Sequence, residues 1–208
     1  MANEPLSFDL YHPQPLLIVI SGPTAVGKDA VIKLMLEYQR QLHFVVTATT
    51  RPKRTNEVDG VDYIFVTPER FQEMIDQNEL IEYSWVYTAY KGIPRSQIEE
   101  AIASGIDVIM RVDVQGARKV RQIYPESVQI FLIPRDEQEL RNRILSRKSE
   151  SEEEIQKRLD TVKDELGCLP AFDYIVVNED KHLNRTVDTI WSIIDAEHHR
   201  VNPRRIQP

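Results

Sequence analysis

The feature that most constrains this chain lies near its start, where the apolar run Leu16–Ile20 leads into Gly22-Pro23-Thr24-Ala25-Val26-Gly27-Lys28. An unbroken Leu/Ile/Val run predicts a strand buried on both faces, as in a parallel sheet. Beyond the loop, Val31, Leu34, Met35, Tyr38 and Leu42 recur at helical spacing and predict a helix with one apolar face. A strand, a glycine loop and a helix in that order aim backbone N–H groups and a helix N-terminus at one point, a cradle for phosphate. Lys28 would reach the β- and γ-phosphates of a nucleotide. The expected ATP contacts are therefore Gly22, Pro23, Thr24, Ala25, Val26, Gly27, Lys28, Asp29 and Ala30. Asp29 stands where a Ser or Thr hydroxyl usually meets Mg²⁺. A carboxylate there is a hard oxygen ligand for the metal, held directly or through water, but it also repels the triphosphate.

The rest of the chain alternates strands and helices. His43–Val46 reads as a short strand. The pattern resumes with helix Arg95–Ser104, strand Asp107–Val112, helix Ala117–Ile123, strand Val128–Ile133, strand Tyr174–Val177 and a helix around Val187–His198. Apolar strands alternating with helices predict an α/β fold with a doubly wound parallel sheet, whose ligands bind at the carboxyl ends of the strands. Between these parts, residues 47–94 are polar and rich in turn formers (Asn56, Asp59, Gly60, Pro68), which predicts an inserted lobe with strands of its own. Residues 137–165 are strongly charged and helical by propensity, with a break around Lys148–Ser151. The expected division is a core of residues 16–46 and 95–200, the lobe 47–94, the charged segment 137–165 within the core, and tails 1–15 and 201–208.

Composition narrows the function. The net charge of −7 argues against broad nucleic-acid binding, which usually needs a basic face. Arginine is clustered, with Arg51 near Arg54 and Arg141, Arg143 and Arg147 close together, which suits small phosphate ligands. One cysteine, Cys168, excludes an internal disulfide and suits a reducing compartment. No apolar run reaches the length of a membrane span, and residues 1–14 lack the pattern of a signal peptide, so a cytoplasmic location is expected.

The lobe carries a more specific signal. Thr49-Thr50-Arg51-Pro52-Lys53-Arg54, with Glu57, Gly60, Tyr63 and Phe65, resembles the guanylate kinase pattern T-T-R-x-x-R-x-x-E-x-x-G-x-x-Y-x-F. Glu82, Asp113-Val114-Gln115-Gly116, Arg143, Arg147, Arg158 and Asn178 follow in that family's order, so the resemblance runs from Leu16 to Asn178. It implies a P-loop kinase core with a nucleoside-monophosphate-binding lobe and a helical lid. It also implies ATP-dependent phosphorylation of GMP or dGMP with Mg²⁺ as cofactor.

By that resemblance Arg51, Arg54 and Tyr63 grip the acceptor phosphate, Glu82 takes guanine's ring N–H and amino group, and Thr47 offers a hydroxyl beside the base. Asp113 matches the second acid of D-x-D-x-Q-G. Lys28, Arg51, Arg143, Arg147 and Arg158 are the implied catalytic set, the last three in a lid over the ATP phosphates, with Asn178 near the adenine. At i, i+4 spacing Arg143 and Arg147 also suit simple pairing with Glu139 and nearby acids.

Three positions depart from the pattern. Lys91 replaces a tyrosine at the acceptor phosphate, where it can act as a point charge; Ile93 replaces a hydroxyl residue facing the guanine carbonyl; and Arg111 replaces the first acid of D-x-D. They leave open a kinase for a different phosphorylated acceptor. A non-catalytic guanylate kinase-like binding module is the other alternative, against which the intact loop and the lid arginines argue.

Overall fold

The computed structural model describes residues 11–86, 88–145 and 152–207; side chains at 86, 152–155, 157 and 158 lie outside the description. Its centre is a five-stranded sheet whose pairings are all parallel. Strand β1 (Leu17–Ser21) is flanked by β7 (Val108–Arg111) and β8 (Val128–Ile133), with β2 (His43–Phe44) and β9 (Tyr174–Val177) at the edges. Every residue of β1 is buried, as expected of a strand covered on both faces.

Alternate residues of β1 feed two cores. Ile18 and Ile20 pack with Val31 and Met35 of α1 (Lys28–Glu37) and with Val187, Ile190, Trp191 and Ile194 of α7 (Leu183–His198). Leu17 and Val19 pack with Ile98 and Ala101 of α3 (Arg95–Ala103) and with Ala117 and Val120 of α4 (Val114–Ile123). Helices on both faces of a parallel sheet make the doubly wound architecture. The carboxyl ends of β1 and β7 therefore open side by side onto the same region.

Residues 48–94 build the second sheet, in the order β4-β3-β6-β5. It contains β3 (Ala48–Thr49), β4 (Ile64–Phe65), β5 (Leu80–Val86) and β6 (Ala89–Pro94), with β5 and β6 antiparallel. Helix α2 (Pro68–Asp76) covers one face through Phe71 and Met74, which pack with Ala48 and Leu80. It starts cleanly because the Thr67 side chain accepts from the N–H of Arg70 and proline occupies the first turn. Ile81 and Ile93 join the core cluster of Leu17 and Val19, which ties this sheet to the main one.

Helices α5 (Glu137–Leu145) and α6 (Glu152–Gly167) share a small core of Leu140, Ile144, Leu159 and Val162, against which Ala25 of the loop packs. The C-terminal stretch is pinned, with Arg204 Nε donating to the fully buried Glu197 at 2.9 Å and Ile206 packing on the core. The expected break at Lys148–Ser151 and the N-terminal residues 1–10 lie outside the described residues.

Candidate active site

The loop after β1 is shaped by its two glycines. A Cβ on Gly22 would sit 2.4 Å from the carbonyl oxygen of Leu132, and one on Gly27 would sit 2.7 Å from Asn178 Nδ2. Both have positive φ, as does Ala25 at 62°, a conformation that non-glycine residues hold only under constraint. Gly27 caps α1 without a side-chain bond, at a helix N-terminus whose partial positive charge favours an anion. Lys28 Nζ donates to the carbonyls of Gly22 and Pro23 at 2.6 and 3.1 Å, so its charge is folded over the loop.

The loop is braced from behind. Asn178 donates from Nδ2 to the carbonyl of Val26 at 2.7 Å and accepts from the Thr186 hydroxyl at 3.0 Å. Arg143 donates to the carbonyls of Val26 and Asn178, each at 2.7 Å, and pairs with Glu139 four residues earlier. Asn178 and Arg143 thus reach the loop after β1 through its backbone. Glu165 of α6 accepts from the N–H of Thr24 at 3.3 Å. Burial pushes that carboxyl above its ordinary range, while the Thr24 N–H and Lys28 pull it down. A carboxylate thus sits at a loop N–H suited to phosphate.

The second pocket has a volume of about 190 Å³ and is lined by Thr47, Glu82, Ser84, Lys91, Ile93, Arg111 and Asp113, among others. Glu82 lies across the start of α4, where Gly116 makes room for it: a Cβ there would meet Glu82 Oε2 at 2.3 Å. Burial raises the Glu82 carboxyl above its ordinary value; Lys119, 3.4 Å away, opposes the rise and Asp113 adds to it. Asp113 itself caps α4, accepting from the N–H of Gly116 at 2.8 Å.

Arg51 is oriented by a two-pronged bond to Glu57, at 2.7 and 2.9 Å, and lies over the rings of Tyr63 and Phe65. The Arg51 bonds, with the N–H of Arg54, hold Glu57 down at about 2. Lys91 Nζ lies 5.3 Å from the centre of the Tyr63 ring. Arg51 and Lys91 therefore both lie against the ring of Tyr63, whereas the exposed Arg54 is placed by its backbone bond to Glu57.

The chain that carries this strand–loop–helix cradle and acidic pocket resembles known proteins along most of its length. The guanylate kinase family model matches residues 14–197. The chain belongs to the guanylate kinase family. It is 48% identical over 206 residues to "Guanylate kinase 2, chloroplastic/mitochondrial" of Oryza sativa, covering 99% of this chain and 71% of that one. It is 42% identical to a guanylate kinase of Caldanaerobacter subterraneus, covering 91% of each chain. The crystal structure of guanylate kinase from Anaplasma phagocytophilum superposes with a TM-score of 0.71 at 29% identity, covering 92% of this chain and 90% of that one.

Within this guanylate kinase fold, the expected lid residue Arg147 lies outside the described residues, as does the side chain of Arg158, whose backbone belongs to α6. Several contributors were not singled out from sequence. Glu57 stood in the matched pattern without a role, and Ser84 and Lys119 carried no local signal. The pairing of Asp29 with Arg111 joins two positions noted separately as departures.

Proposed function

We propose that this chain transfers the terminal phosphoryl group of ATP to GMP, or to dGMP, giving ADP and the nucleoside diphosphate. The observation that carries this reading is the partly buried carboxylate of Glu82, 15% exposed, facing a pocket that also presents Lys91, next to Arg51 and Tyr63. Guanine offers a ring N–H and an amino group on one edge, so one carboxylate can accept both. Adenine on the same site would leave a buried acid unpaired. Thr47 and Ser84 add hydroxyls to a pocket in which Ile93 has none to give. Residues 47–94 form the acceptor lobe in this reading, and 137–165 the lid.

The acceptor oxygen belongs to a phosphate whose second pKa is about 6, so it is anionic near neutral pH and needs no general base. The work left to the protein is to bring two polyanions together in line. Lys28 and the loop N–H groups bind the donor phosphates, Arg51, Arg54, Tyr63 and Lys91 hold the acceptor, and closure of lobe and lid excludes water. Arg143, with Asn178, keeps the loop in its receptive shape.

Magnesium fits the residues present. Asp29 is a hard oxygen donor at the start of α1 with 76% of its side chain exposed, and it would help to hold a hydrated ion there. Mg²⁺ in kinase sites commonly uses one or two carboxylates, water and substrate phosphates. When bound, it would neutralise phosphate charge. No helix among the described residues is long and apolar enough to cross a membrane; the lone thiol of Cys168 supports the cytoplasmic reading. The test is coupled ADP release with GMP, dGMP, IMP and AMP as acceptors. GMP should lead, and a parent enzyme that prefers another acceptor overturns the assignment.

A further inference from the structure

Two departures from the family pattern meet in space. Asp29 occupies the first turn of α1, where the pattern has a hydroxyl, and Arg111 ends β7, where it has an acid. Because β7 pairs in parallel with β1, with Ile20 opposite Arg111, the end of β7 opens beside the start of the phosphate loop. There the Arg111 guanidinium forms an ion pair with the Asp29 carboxylate. The same arginine lines the acceptor pocket with Glu82 and Lys91, so it stands between the donor and acceptor sites.

An ordinary surface ion pair contributes little and has no reason to sit at this junction. Here the guanidinium is only one-third exposed and packs near the ring of Phe44. Its planar fork can hold one carboxylate and still present donors elsewhere, which a lysine cannot do in the same geometry. Charge counting gives the consequence. A hydroxyl and an acid carry one negative charge together, whereas Asp29 and Arg111 carry none, so the gap between two polyanions is one unit more positive.

We propose that Asp29 and Arg111 are an exchanged charge pair. The acid stands at the helix start, where it would help to hold a hydrated Mg²⁺, instead of at the strand end. Arg111 is the positioning residue that holds it there and offsets its repulsion of the triphosphate. This rests on the phosphoryl-transfer reading and names two of that site's determinants.

The test is a double-mutant cycle of Asp29→Ser, Arg111→Asp and the two combined. Mg·ADP binding is measured by calorimetry, alongside binding of ADP in EDTA, the Mg²⁺ concentration for half-maximal turnover, and thermal unfolding. Arg111→Asp sets two carboxylates at the gap and should weaken Mg·ADP binding by at least tenfold. Asp29→Ser should raise the Mg²⁺ requirement severalfold while sparing ADP binding in EDTA. The double variant, which restores hydroxyl and acid to their usual places, should return within about threefold of the parent. Tenfold non-additivity corresponds to 1.4 kcal/mol of coupling.

Losses that simply multiply in the double variant overturn the proposal, as does an Arg111→Asp variant that folds and binds Mg·ADP like the parent. Should Arg111→Asp unfold, Arg111→Lys and Arg111→Gln replace it, with weakened Mg·ADP binding in Gln and partial retention in Lys expected, and equal binding in both refuting. A parent inert toward GMP defeats the acceptor assignment alone, because the binding cycle reads the pair without it.

Discussion

Gly116→Ala separates the recognition of the acceptor from the stability of the fold. A Cβ at this position would lie 2.3 Å from Glu82 Oε2 and 2.9 Å from Val112 Cβ. The carboxylate is the end of a flexible side chain and will swing away, whereas Val112 can yield only a little. Replacing glycine in a helix gains about 0.8–1 kcal/mol, and overpacking against Val112 costs about 1–3 kcal/mol. The net change in stability is then at most about 2 kcal/mol, a shift of under about 10 °C in Tm for a chain of this size. The displaced carboxylate, by contrast, no longer accepts from guanine. A lost partner of this kind costs about 1–3 kcal/mol, which is roughly 5- to 150-fold in kcat/KM for GMP. The assay is steady-state ADP release with GMP varied at saturating ATP, beside calorimetric ADP binding and a melting curve. The reasoning predicts a folded variant with parental ADP affinity and a GMP defect carried mainly by KM. A Gly116→Ala variant with parental GMP kinetics would refute it, and so would an equal loss of ADP binding.

Lys28→Ala should fold normally and lose turnover on the order of a hundredfold or more, since one preorganised charge partner of the transferring group is gone; melting and turnover together check it. Glu57→Gln should raise the KM for GMP on the order of tenfold by releasing Arg51 from its two-pronged bond. The Glu57 carboxyl is held near 2 when folded, below its unfolded value, so its stabilisation is full above the unfolded pKa and lost as pH falls through about 2. Acid unfolding of Glu57→Gln should therefore be flatter across that window, as circular dichroism against pH will show. Ile93→Ser should favour GMP over AMP more strongly than the parent. It should also lower Tm on the order of 10 °C, because Ile93 is 7% exposed and packed in the core shared with Ile81 and Leu17.

What the sequence made legible were features written in consecutive residues. β8 and β9 have the expected bounds, Val128–Ile133 and Tyr174–Val177, because each is a largely apolar run, interrupted only by Gln129, that is closed by Ser127 and Pro134 or by Asp173 and Asn178. The apolar period Val31 to Leu42 correctly marked a buried face, yet α1 ends at Glu37. Tyr38 leaves the helix with ψ 142°, while Tyr38 and Leu42 still pack on the same core from the loop beyond. Helix α4 begins at Val114, three residues before the expected Ala117, because Asp113 is a capping residue as well as part of a motif.

Contacts between distant segments were not legible. Nothing local in Gly116 announces Glu82, nor does Asp29 announce Arg111; both meetings depend on strand order and register, which pattern alone leaves open. Arg143 is instructive in a different way. Its position in the motif pointed to the ATP phosphates, its i, i+4 spacing to Glu139, and in this structure it pairs with Glu139 while gripping the loop carbonyl of Val26.

The central claim, that the partly buried carboxylate of Glu82 selects guanine for phosphoryl transfer, is tested most directly by the ratio of kcat/KM for GMP to that for AMP. Product nucleotides are separated by chromatography, in the parent and in Glu82→Gln. The account predicts GDP as the dominant product of the parent and a ratio that falls at least tenfold in Glu82→Gln, with ADP binding intact. A ratio unchanged by Glu82→Gln, or a parent that forms no GDP from GMP, would contradict it.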